Sequence, residues 1–154
     1  DVIALDYTPL TPMDEGNLGS IQRTMLGFGL RDIAIMRPAA DVFDPQVGRA
    51  SMGAPFSLRV AQFDSFEAYR ALFPAHKLYP FMLDGSVLLA DAVRNVQMPY
   101  ALVFGNEGSG LPPAFAAMGQ AVRIPHSADI DSLNLAVAAA IGAYAFVQAT
   151  RKEA

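Results

Sequence analysis

The sequence predicts an α/β domain built on a mostly parallel sheet with helices on both faces. Short apolar runs suited to strands alternate with amphipathic, helix-length segments over short links. The run Tyr100 to Phe104 is apolar or aromatic at every position, as a parallel strand covered on both sides must be. With 154 residues, 53% of them hydrophobic, the chain is long enough to bury one substantial core.

Val2 to Leu5 reads as the first strand, followed by a loop carrying Pro9, Pro12 and Gly16. Residues 16–29 read as a helix, with Leu18, Ile21, Met25 and Phe28 at helical spacing, Asn17 as its N-cap and Gly29 as its stop. Asp32 to Met36 is a second strand, Gln46 to Met52 a short helix, and Ser57 to Phe63 a third strand. Asp64 to Phe73 opens on a cap residue and carries Phe66, Tyr69, Leu72 and Phe73 along one helix face. Lys77 to Leu83 is a fourth strand, ending at an Asp84-Gly85 loop on the same carboxyl edge as the loop that follows Phe104.

Pro112 to Met118 reads as a short helix and Gln120 to Ile124 as a sixth strand. Residues 131–134 cap a last helix that runs to about Thr150. Its body, Leu135 to Ala143, is apolar or small on every face, which calls for burial by the sheet and by a second copy of the chain. The apolar run from Leu133 to Val147 falls short of the ~20 residues a membrane span needs.

Composition narrows the chemistry. The absence of cysteine excludes disulfides, thiolate metal sites and a cysteine nucleophile. Two histidines, His76 and His126, are too few for most catalytic metal sites, so no metal is expected. A loop histidine such as His76 is more often structural or solvent-facing than catalytic. A net charge of −4 argues against a strong nonspecific grip on nucleic acid, yet nine of the eleven basic residues are Arg, and a local Arg cluster would still hold phosphates. The chain starts at Asp1 with no signal-peptide pattern, and a cytoplasmic protein is the default expectation.

The most informative stretch is Gly105-Asn106-Glu107-Gly108-Ser109-Gly110, between the Tyr100 to Phe104 strand and a proline-initiated helix. An ordinary strand-to-helix turn needs one glycine at most, and three around an Asn-Glu pair favour a ligand site. The loop lacks the Lys-Ser/Thr of a Walker A cradle, and its glycine order differs from the dinucleotide fingerprint. Taken singly, Asn17 reads as a cap, Arg23 as a solvated helix position and Arg49 to Ala54 as a tight small-residue turn.

Together, three stretches resemble the motifs of one family. Asn17-Leu18-Gly19-Ser20-Ile21-Gln22-Arg23-Thr24 with Gly27-Phe28-Gly29, then Phe104 to Leu111, then Ile124-Pro125 with Ser132-Leu133-Asn134-Leu135-Ala136-Val137-Ala138, are similar in order and spacing to the three motifs of the SpoU (TrmH-type) RNA methyltransferases of the SPOUT superfamily. The resemblance covers essentially the whole chain. It implies a carboxyl-terminal third threaded into a trefoil knot, an exception to the rule against threading. It also implies a homodimer, S-adenosylmethionine bound in the knot, and methylation of a ribose 2′-hydroxyl of tRNA or rRNA. By motif position, cofactor contacts fall on Leu83, Gly105, Ile124, His126 and Leu133, and the polar catalytic set on Asn17, Arg23, Glu107, Ser132 and Asn134. His126 departs from the family, which more often has an apolar residue after Ile-Pro. Members acting on large RNAs usually carry an amino-terminal RNA-binding domain, and none is present in this sequence.

Methyl transfer from a sulfonium is an in-line displacement, so the site must mainly align and desolvate the reactants. Arginine in general keeps its proton, which makes Arg23 first a phosphate and hydroxyl clamp and second a base, with Glu107 as its bidentate partner. The rival reading is a noncatalytic RNA- or nucleotide-binding module on the same fold. Such a module would be expected to lose Arg23, Glu107 or Asn134 before its core, and all three are present.

Overall fold

The computed structural model describes residues 2–6, 15–36, 58–105, 110–131 and 133–151. The expected helix at Gln46 to Met52, the Arg49 to Ala54 segment, Glu107 and Ser132 lie outside them. Five parallel strands, β1 (Val2–Asp6), β2 (Asp32–Met36), β3 (Arg59–Phe63), β4 (Lys77–Pro80) and β6 (Tyr100–Phe104), form one sheet in the order β3-β2-β1-β6-β4. A second, two-stranded parallel sheet pairs β5 (Val87–Leu88) with β7 (Val122–Arg123). The helices are α1 (Glu15–Gly27), α2 (Phe66–Leu72), α3 (Leu89–Ala92) and α4 (Leu135–Thr150). In the main sheet the strand order reverses between β1 and β6. Open α/β sheets bind ligands beyond the carboxyl ends of the strands at such a point.

Strand alternation sorts the core into two layers. Ile33 and Ile35 of β2 and Tyr100, Leu102 and Phe104 of β6 pack with Leu18, Ile21 and Met25 of α1 and Phe146 of α4. Ala34, Met36, Ala101 and Val103 take the other face, with Phe66 and Tyr69 of α2 and Phe115. Each successive side chain changes face, so a sheet covered on both sides needs every position of β6 apolar, and all five are buried. At the opposite end of the sheet the register pairs Asp32 with Arg59, whose guanidinium grips the carboxylate at 2.6 and 2.9 Å.

α1 ends as expected. Gly29 takes φ +83°, its N–H donates to Leu26 O at 3.1 Å, and Leu30 N–H donates to Met25 O at 2.9 Å, which is a Schellman closure. Its start differs: the helix reaches back to Glu15, so Asn17 lies within the first turn and does not cap it. The carboxyl ends of α1 and α4 are joined by the Phe28–Tyr144 ring pair at 5.6 Å and by Arg151 Nη2 donating to Phe28 O at 3.5 Å.

Four other expectations are corrected. α2 is capped by Ser65, whose Oγ accepts from Ala68 N–H at 3.1 Å; it buries Phe66 and Tyr69 but leaves Leu72 67% and Phe73 42% exposed. Pro113–Ala117 is a 3-10 turn, closed by i→i−3 bonds from Phe115 to Pro112 and Met118 to Phe115, because five residues are too few for a stable α-helix. The strand expected at Lys77 to Leu83 stops at Pro80, and Leu83 stands in a turn. The strand expected at Gln120 to Ile124 contracts to two residues.

Beyond Pro80 the chain folds around β7. Phe81 bridges to Val122, Met82 N–H donates to Val122 O at 3.0 Å, and on the far side Val87 N–H donates to Ala121 O at 3.2 Å. Between these limbs Gly85 is pressed against β7, and a Cβ there would stand 2.6 Å from Val122 C and 2.9 Å from Arg123 N. Residues 121–123 are thus held on both sides by one loop, 81–88.

Candidate active site

Gly105, Leu83, Ile124 and His126 follow the carboxyl ends of β6, β4 and β7. β4 and β6 are adjacent, with Pro80 opposite Val103, and Phe81 N–H donating to Val103 O at 2.9 Å carries the pairing one residue further. Phe81 then stacks on Phe104 with centroids 4.5 Å apart, so both loops leave the sheet at one edge. The wrapping of 81–88 around β7 brings the third loop to the same place. Gly105 is buried, and a Cβ on it would meet the Gly110 carbonyl carbon and stand 2.5 Å from Leu111 N. The glycine loop therefore closes on its own base, with Gly110 at φ +68°. Only glycine takes that angle without strain.

What the edge offers is apolar surface and backbone. Leu83 is 62% exposed, and Ile124 is half-buried. A leucine left open beside closely approaching main chain suits a flat ligand with an apolar face and hydrogen-bonding edges, as a purine nucleoside has. His126 is half-buried, with Nδ1 3.2 Å from Ile124 O. Asn134 caps α4, its Oδ1 accepting from Val137 N–H at 3.2 Å, and Leu133 immediately precedes it.

No described hydrogen bond or ion pair joins Arg23 to this edge. The arginine is exposed on α1 and lines an open groove with Ser20, Thr24, Gly27 and Phe28, and it makes no hydrogen bond or ion pair with a described residue. Ser20 and Thr24 were legible only as helical neighbours of Arg23, three before and one after. Of Asn17 only the backbone is described. The described residues hold no cluster of three or more His, Asp or Glu fit for a metal ion, and no helix among them is long and apolar enough to cross a membrane.

The second histidine lies apart from the site. Tyr69 OH and His76 Nδ1 share a hydrogen bond at 2.6 Å, and the His76 ring stacks on Phe73 at 4.9 Å, just ahead of β4. Burial raises the Tyr69 phenol and lowers the His76 imidazole, which suits a neutral pair sharing one hydrogen bond. This is the structural role expected of a loop histidine.

Comparison with known proteins agrees with the motif resemblance. A profile of the SpoU rRNA Methylase family matches residues 10–144. The chain is 33% identical over 136 residues to the 23S rRNA (uridine(2479)-2′-O)-methyltransferase of Streptomyces viridochromogenes, covering 83% of this chain and 47% of that enzyme. It superposes with TM-score 0.84 and 30% identity on an S-adenosylmethionine-bound rRNA methyltransferase from Sinorhizobium meliloti, over 98% of this chain and 57% of that one. A structure solved in a study of 2′-hydroxyl methylation of C/U34 on tRNA superposes with TM-score 0.83 and 29% identity, over 96% of this chain and 94% of the other. The chain spans half or less of the length of the first curated relatives that it matches, at 48%, 25% and 47%. The family match over residues 10–144 covers most of the chain, and the chain belongs to the SpoU rRNA methylase family.

Proposed function

We propose that this chain is an S-adenosylmethionine-dependent RNA methyltransferase that modifies a ribose 2′-hydroxyl of rRNA or tRNA. The observation that carries the reading is the loop 81–88 folded around Val122, which gathers the loops after β4, β6 and β7 at one edge. S-adenosylmethionine supplies an electrophilic methyl group on a sulfonium. Leu83, Ile124 and Leu133 would cover its apolar surface and exclude water, while backbone groups at Gly105, Ile124 and His126 hold its polar edges. Arg23 would clamp a phosphate or hydroxyl of the RNA, with Glu107 orienting the guanidinium and Asn17, Ser132 and Asn134 completing the polar set. Their task is alignment, since in-line attack needs the reacting atoms held near 3–3.5 Å in an environment with little water.

Two further features belong to this reading. The enclosure of residues 121–123 by the loop 81–88 supports a trefoil knot in the carboxyl-terminal third. Gly85→Val, which puts a branched side chain into the β7 backbone, should then abolish cooperative folding; a variant of wild-type stability would count against the threading. Val137, Ile141 and Tyr144 are 48%, 39% and 54% exposed at positions i, i+4 and i+7 of α4 and support a homodimer joined through that stripe. A light-scattering mass of 16.4 kDa at micromolar concentration would contradict it.

The test of the function is transfer of labelled methyl groups from S-adenosylmethionine to bulk rRNA and tRNA, followed by alkaline hydrolysis. A 2′-O-methyl group removes the nucleophile of strand cleavage, so the label should appear in alkali-resistant dinucleotides. Label in mononucleotides would indicate base methylation. RNA binding without transfer would favour the noncatalytic module.

A further inference from the structure

Histidine 126 is the one ionisable side chain among the residues assigned to the cofactor edge, and its ring is already committed on one side. Nδ1 stands 3.2 Å from the carbonyl oxygen of Ile124, two residues earlier. A carbonyl oxygen can only accept, so Nδ1 carries the hydrogen. A neutral imidazole has one N–H, and Nε2 is therefore left with a lone pair.

The surroundings of His126 leave that lone pair available. Ser127 Oγ donates to Asp129 Oδ2 at 2.9 Å and accepts from Asp129 N–H at 3.1 Å, so these two neighbours satisfy each other. Ile130 N–H closes the same turn on Ser127 O at 3.4 Å. The ring is half-buried at the base of this closed turn, directly after the segment gripped by the loop 81–88.

We propose that His126 is a cofactor-positioning residue that offers Nε2 as a hydrogen-bond acceptor to an N–H or O–H donor of the adenosyl group, while Nδ1–H fixes the ring to Ile124. The role rests on the cofactor site proposed above. An adenosyl group carries such donors on its exocyclic amine and its two ribose hydroxyls, and a half-buried acceptor with a fixed orientation gains more from meeting one than a mobile side chain does.

The two functions of the ring can be separated because Asn and Gln each reproduce one of its nitrogens. His126→Asn places an amide N–H where Nδ1–H stands and leaves nothing at Nε2. His126→Gln reaches the Nε2 position with an acceptor oxygen and gives up the bond to Ile124. Titration calorimetry of S-adenosylhomocysteine against the wild type and both variants, each first shown to unfold at the wild-type temperature, should give an affinity about tenfold weaker for Asn and within about threefold of wild type for Gln. In the wild type, 15N NMR should show Nδ1 protonated and the Nε2 resonance moving when S-adenosylhomocysteine is added. Wild-type affinity in the Asn variant, an equal loss in both variants, or an unmoved Nε2 resonance overturns the role while leaving the cofactor site intact. Absence of any binding to the wild type overturns the cofactor site, and this role with it.

Discussion

Gly142 of α4 lies against the edge of the Phe81 ring, and a methyl group on its Cα would stand 2.7 Å from Cζ and 2.8 Å from Cε2. Phe81 cannot retreat freely, because it is stacked on Phe104 at 4.5 Å. The glycine in the middle of an apolar helix is thus the point where α4 seats on the strand ends that carry the candidate site.

A pair of identical substitutions tests this seating. Gly142→Ala gains up to about 1 kcal/mol of helix propensity but overpacks the Phe81 contact, which typically costs about 1–3 kcal/mol, so the protein should lose about 1 kcal/mol in urea unfolding. Gly27→Ala, in α1, meets nothing within 4 Å and should be neutral or stabilising by a few tenths of a kcal/mol or more. Equal effects at the two positions would show that the ring contact does not govern α4.

The Tyr69–His76 pair makes stability depend on pH. Burial holds the imidazole below its ordinary value of 6.5, against an opposing pull from Asp32. As pH falls through 6.5 the unfolded chain takes up this proton before the folded one does, so stability declines from there down to the lowered folded value and is whole above 6.5. His76→Phe keeps a ring against Phe73 and removes the titration. Urea midpoints should then fall less between pH 7 and pH 5 than in the wild type, and parallel profiles would exclude the pair as the source.

Much of this arrangement could be read from the residues, and the failures have physical causes. The all-apolar β6, the 18-21-25 spacing of α1 with its Gly29 stop, and the asparagine-capped α4 are strong because local pattern and burial agree. β5 and α3, in residues 86–99, went unassigned because two to four residues carry too little periodicity. The folding of 81–88 around β7 is a nonlocal pairing that neither segment signals, and it is what shortened the expected strand at Leu83. For the site, the grouping of the strand-end loops followed from strand and helix alternation, and Arg23, read as a solvated helix position, is exposed on α1. The mutual placement of Arg23 and Glu107 lies outside the described residues.

The proposed division of roles, with Arg23 on the RNA and the strand-end loops on the cofactor, predicts separable functions. Arg23→Ala should remove methyl transfer by at least a hundredfold yet leave S-adenosylmethionine affinity within about twofold. Arg23→Lys keeps the charge but loses the planar fork, and should restore little transfer if two-pronged contact is required. A tenfold loss of cofactor affinity in Arg23→Ala, about 1.4 kcal/mol, would put Arg23 in the cofactor pocket.

The most direct measurement is titration calorimetry of the wild-type chain with S-adenosylmethionine and, separately, with NAD and ATP. Saturable binding of S-adenosylmethionine at about one site per chain, undisturbed by either nucleotide, is the predicted result. No binding of S-adenosylmethionine, or its displacement by NAD at similar concentration, would contradict the reading of this strand edge as a methyl-donor site.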